Sequence, residues 1–234
     1  MRISPLCHFL LLVLLSATWH VHAEPAFPSA ITGAQCPKQI VNEQKNLDDL
    51  VVVLNLIREH YMAAYMEAIC EFSQEIPPSV PEVLFEFGAE RAYAFRLYRI
   101  DLVSNINGKA KMREINRETY LSFAEKTFMP VPGLKLSLSP IAWNGVEITS
   151  NVNPSWKKLE EWTLRWIDVK DLHTQDKVGL QGVIHSVTAP EMSEGYSTFS
   201  VDFGSAPVAA IESLLQLLAD LGATEVQMRS SWVK

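Results

Sequence analysis

The sequence predicts an α+β fold in which an antiparallel or mixed sheet is packed by helices, one of them long and close to the N-terminus. Three observations carry this. Ser197 to Phe203 alternates, with Phe199, Val201 and Phe203 on one side and Ser200 and Asp202 on the other, the period of a half-buried strand. Val208 to Leu221 places Val208, Ile211, Leu214, Leu215, Leu217, Leu218 and Leu221 on one broad stripe at helical spacing, with Glu212, Ser213, Gln216 and Asp220 on the remaining arc. Asn46 to Cys70 carries Leu47, Leu50, Leu54, Ile57, Tyr61, Ala64, Tyr65 and Ala68 on one helical face, a face that Phe72 continues.

Residues 1–23 have the three regions of a secretory signal peptide: Arg2 beside the amino terminus, an apolar run from Phe9 to Leu15, and Val21-His22-Ala23 before an expected cleavage. The run is too short for a stable membrane span, so the mature chain is expected to be free of the bilayer after cleavage. The formal charge of −7 becomes about −8 once Arg2 is removed. Such a balance disfavours nucleic acid, which needs a basic footprint, and suits a protein partner of basic charge.

Residues 24–45 are rich in proline and small residues without a period and read as an extended leader. Export leaves two cysteines, Cys36 and Cys70, which an oxidising compartment is expected to join. A helix from Asn46 to Cys70 is about 36 Å long, and ten residues of leader span at most about 36 Å. The bridge therefore requires that the leader double back nearly straight along the helix, or that the helix begin late or bend, and the first is expected. With no N-x-[ST] sequon after the signal, a periplasmic location is favoured over a eukaryotic secreted one.

Asn46 is placed as the cap of the long helix, and Pro77, Pro78 and Pro81 end it. Val83–Phe87 and Ala92–Val103 read as strands, the second with mixed alternation that implies burial on both faces or a bulge. Asn105-Ile106-Asn107-Gly108 is a turn. Ile115 to Lys126 reads as a helix with Tyr120, Phe123 and Ala124 inward, and Leu134, Leu136 and Leu138 mark a strand after the Met129–Gly133 breaker. Asn144-Gly145 signals a hairpin between Ile141–Trp143 and Val146–Ile148. A helix from Pro154 to Asp168 takes Asn153 as its cap. Val178–Val187 is read as a strand, Ala189–Gly195 as its turn, Ser205 as the cap of the helix at Val208, and Thr224–Trp232 as a final strand parallel to that at Ser197. The chain then divides into residues 46–150, the long helix with a first strand–strand–helix–strand unit, and residues 151–234, a tryptophan-rich helix with a second such unit. The two belong to one compact domain or to a tandem pair.

Catalytic motifs are scarce. His60, His173 and His185 survive processing, none at metal-ligand spacing from another, and HExxH, CxxC, GxSxG and GxxxxGK[ST] do not occur. Neither a metal nor a cofactor is expected. Glu86 and Glu90 flank Gly88 and could form a dispersed acid–base pair. Trp156, Trp162 and Trp166 share an arc of about 140° with Leu159 and Ile167. Tryptophan is favoured at binding hot spots, which makes these three the candidate protein-binding residues, although core packing is the favoured reading of the stripe. The expected function is that of an exported non-catalytic protein that binds another protein, in one form an immunity or inhibitor protein acting on a toxin or hydrolase. The alternatives are a carboxylate-dependent envelope hydrolase and a structural part of a secretion or envelope complex.

Overall fold

The computed structural model describes residues 47–75, 79–86, 96–107, 109–115, 119–176 and 179–230, excluding the side chains of residues 105 and 156. The signal sequence, the leader and Cys36 lie outside the described residues, as does Glu90. The fold is α+β. The elements run α1 (Leu50–Glu75), β1 (Ser79–Glu86), β2 (Leu97–Ile106), β3 (Lys109–Arg113), β4 (Lys126–Val131), β5 (Leu134–Leu138), β6 (Val146–Ser150), α2 (Trp156–Trp166), β7 (Ser186–Val187), β8 (Glu191–Ser193), β9 (Tyr196–Asp202), α3 (Val208–Asp220) and β10 (Glu225–Arg229). No described helix is long and apolar enough to cross a membrane.

A small antiparallel sheet has the order β1-β2-β3. The large sheet has the order β4-β5-β10-β6-β9-β7, with β8 paired to β9. Among the described strands only β5 and β10 pair in parallel, and β10 sits in the middle of this sheet. β9 and β10 are both antiparallel to β6, so they are parallel to each other with β6 between them.

Asp49 caps α1, its Oδ1 accepting from Val51 N at 2.8 Å and Val52 N at 3.3 Å. Its buried side includes Leu54, Ile57, Tyr61, Tyr65 and Phe72, and Val53 and Leu56 are buried too, so the helix is covered over a wide arc. Leu134, Leu136, Leu138, Val146, Ile148, Phe199, Val201, Val226 and Met228 bring the large sheet into the same core, which joins α1, α2 and α3. That core draws on both halves of the chain.

Several sequence expectations change. The described part of the stretch Ile115 to Lys126 is not helical: residues 119–125 are extended or irregular, Tyr120 bridges to Ala142, and β4 begins at Lys126 and runs through the expected breaker to Val131. Among the described residues the helix expected in the first unit is therefore missing, whereas the expected second unit ends in β9-α3-β10, with β8 before it. Residues 141–143 do not pair with β6, whose neighbours are β9 and β10. Most of 179–185 is irregular, and Glu191–Ser193 in the expected turn is a strand. Ser155 caps α2 in place of Asn153, accepting from Lys158 N. Ser205 caps no helix, because its hydroxyl accepts from Gly182 N at 2.9 Å and Val183 N at 3.2 Å.

Candidate functional site

The junction between the two sheets gathers most of the buried charge. On β2, Tyr98, Ile100 and Leu102 are buried on one face and Arg99 and Asp101 on the other. This strand therefore has no solvent face in its first half, which explains its mixed alternation. Glu82 lies opposite Asp101, between the paired positions Pro81↔Leu102 and Val83↔Ile100. Its φ is +53°, a conformation that L-residues avoid and that surrounding contacts must hold in place.

His185 stands at the centre, 1 % exposed. Its Nδ1 lies 2.9 Å from Asp101 Oδ1 and its Nε2 3.1 Å from Glu82 Oε1. Burial works against the imidazolium, but hydrogen bonds to Asp101 and Glu82, with the charge of Asp202, outweigh it and hold the His185 pKa well above its ordinary range. Both ring nitrogens then donate. The carboxylates are shared further: Asp101 accepts from Ile115 N at 2.5 Å and from the Tyr65 hydroxyl at 3.3 Å, and Glu82 Oε2 from Gln181 N at 2.5 Å. Tyr61 and Tyr65 stack at 5.4 Å, and burial raises both phenol pKa values. Asp202, half-buried at the end of β9, is pushed up to about 7, chiefly because its carboxyl is withdrawn from water, with Asp101 adding to the shift and His185 and the Gly204 N–H opposing it.

Arg99 is the second centre and is fully buried. Its Nε donates to Ile167 O at 2.7 Å, Nη1 to Glu82 O at 2.6 Å and Gln181 Oε1 at 2.5 Å, and Nη2 to Asp168 O at 2.8 Å. Both terminal nitrogens also reach Asp171 Oδ1 at 3.2 Å. The planar fork of guanidinium is what allows one side chain to hold β1, the end of α2 and the following loop at once.

Every one of these side chains turns toward another part of the chain. Among the described residues no group of His, Cys, Asp and Glu could hold a metal ion. Sequence reading missed this cluster, because Glu82, Arg99, Asp101 and His185 are far apart in the chain and each reads singly as a surface residue. The available signal was two charged residues at alternate positions of an apolar strand.

The residues singled out from sequence lie elsewhere. Trp162 is 4 % exposed and Trp166 half-buried, and both indole N–H groups donate to Ser213 Oγ on α3 at 2.9 Å. Ser213 donates in turn to Ala210 O, so its hydroxyl is fully used. Trp162 also meets Phe203 edge-on at 6.4 Å. These two tryptophans thus form the seam between α2 and α3. Trp156 begins α2. Cys70 is buried on α1, with Gln74 Nε2 3.7 Å from its sulfur. Its expected partner, Cys36, is outside the described residues. His60 lies on α1, and Glu86 is exposed at the end of β1. No family model, curated protein or solved structure matches the chain.

Proposed function

We propose that this is an exported, periplasmic, non-catalytic protein that binds another protein, in its most concrete form an immunity or inhibitor protein that occludes a basic toxin or hydrolase. The observation that carries the reading is how the fold distributes charge and apolar surface. Glu82, Arg99, Asp101 and His185 are at most 7 % exposed and engaged with one another or with backbone, an arrangement suited to holding two sheets together. Large apolar side chains are exposed elsewhere: Leu172 is 73 % exposed, Met129 on β4 63 %, and Met192 and Tyr196 on the β8–β9 hairpin 52 % and 43 %. An acidic chain would dock fastest on a basic partner. Affinity capture from an extract of the source cells at low and moderate salt tests this. Recovery of a stoichiometric, salt-sensitive partner is expected, and its absence under both conditions defeats the reading.

One observation favours a second reading, a structural part of an envelope complex. All five residues of β3 are exposed, and β3 pairs only with β2 among the described strands. Such an edge can accept a strand from a neighbouring protein. Gel filtration, alone and with candidate neighbours, separates a stable assembly from a monomeric inhibitor.

A further inference from the structure

Residues 169–176, Val-Lys-Asp-Leu-His-Thr-Gln-Asp, form an unbroken exposed stretch after α2. Exposed loops are ordinarily loose. This one is tied down along its length. Arg99 reaches it from below, taking Ile167 O, Asp168 O and Asp171 Oδ1, with no exposure of its own. Gln181 Nε2 donates to the same Asp171 oxygen at 2.9 Å, and His173 N donates to Asp168 Oδ2 at 2.7 Å. The far end is closed by Asp176 N donating to Leu180 O at 2.8 Å and Leu180 N to Asp176 Oδ1 at 2.9 Å. Asp168 and Asp171 are held at φ +51° and +52°, so the loop follows a path that neither residue would choose unaided.

What this framework presents is apolar. Leu172 is the most exposed large hydrophobic residue among those described, at 73 %, and Val169 is 40 % exposed. An isolated surface leucine needs no explanation. A leucine on a loop fixed by a buried guanidinium is different, because the ordering cost that a flexible loop would bear on binding has already been met within the fold.

We propose that Leu172, flanked by Val169, is the anchor by which the protein docks, and that it enters an apolar pocket bordered by cationic side chains on a partner protein. The inference deepens the protein-binding reading above and rests on it. The cationic border follows from charge: the exposed stretch 169–176 carries Asp171 and Asp176 against one lysine, Asp171 keeps 61 % of its side chain exposed, and the whole chain carries −7. The Oδ1 of Asp171 meets Arg99 and Gln181, which holds this exposed carboxylate in place beside Leu172.

The test is site-directed photocrosslinking. The full exported chain carrying Leu172→Cys is labelled with a benzophenone maleimide and irradiated in an extract of the source cells, beside Glu212→Cys on the exposed side of α3 and the unsubstituted chain treated identically. The expected result is one adduct specific to position 172, suppressed by excess unlabelled protein and by raised salt, with the crosslink mapped to an apolar pocket near lysine or arginine. In the purified pair, Leu172→Ala should weaken affinity about tenfold or more while leaving the thermal midpoint unchanged. A partner captured by the intact protein but crosslinked equally from 212, or bound equally by Leu172→Ala, overturns this site and spares the general reading. An adduct with the mass of two copies of this chain overturns the proposed occupant in favour of self-association. No adduct and no captured partner sink both.

Discussion

Arg99 donates its backbone N–H to the carbonyl of His185 at 2.9 Å, which ties the middle strand of the small sheet to the segment entering β7. The same two residues carry the two buried cations of the junction. Backbone pairing and side-chain charge are thus coupled at one point, and disturbing either imidazole or guanidinium should loosen the sheets from each other.

Replacing His185 by Gln removes the cation between Glu82 and Asp101 and leaves two buried carboxylates facing each other. Breaking a buried pair by taking away one partner costs about 3–5 kcal/mol. Urea unfolding of His185→Gln should show a loss of that order, and adding Glu82→Gln should return part of it. Equal stability of the single variant and the parent would mean that the imidazole is neutral in the fold.

Stability should fall as pH rises. The His185 pKa is raised in the fold, so its contribution is fully present below the ordinary histidine range and is lost as pH climbs through the folded value. The Asp202 carboxyl, at about 7 in the fold and 3.8 as its ordinary value, also retains a proton that the unfolded chain releases first. Between about pH 4 and 7 the folded state therefore binds more protons at Asp202, and from about pH 6.5 upward more at His185. The urea midpoint should be higher at pH 5.5 than at pH 8.5, and Asp202→Asn should flatten the lower part of that slope.

Gly204 has φ +45°, and a Cβ there would run into the His185 ring. Gly204→Ala meets both a left-handed backbone penalty of about 1–2 kcal/mol and an overpacking cost of about 1–3 kcal/mol. A loss of about 2 kcal/mol or more in chemical unfolding is expected, and Gly222→Ala, where the space is open, should lose less.

Ser213→Ala would leave the indole N–H groups of Trp162 and Trp166 without their shared acceptor. The cost should be about 1–3 kcal/mol, accompanied by a shift in tryptophan emission. If neither changes, the tryptophans are free to serve an external partner.

Which parts of this were legible beforehand follows from how local their causes are. β9, α3 and β10 could be read because alternation, the broad leucine stripe and Gly222 after the helix all lie within a few residues of what they determine. The stretch from Ile115 to Lys126 misled because Tyr120, Phe123 and Ala124 fit helical spacing, while the choice was made by tertiary pairing: Tyr120 with Ala142 and Lys126 with Leu138. Ser213 was assigned to the solvent arc of α3 because periodicity gives the direction of a side chain and not what stands there. The Glu82–His185–Asp101 cluster was invisible for a related reason: its members meet only after both sheets form, and a charged residue at an alternate strand position looks the same whether it faces water or a neighbouring sheet.

The central place of β10 bears on the order of events during biosynthesis. The last described strand in sequence lies between β5 and β6, so until it emerges the hydrophobic layer exists as two separate halves, β4-β5 and β6-β9-β7. Closing it joins Val226 to Leu136 across some ninety residues. Assembly of this sheet must therefore wait for β10, and a chain cut short before it would present the inner borders of both halves as sticky strands. A molecule built this way benefits from being kept unfolded until β10 has been made.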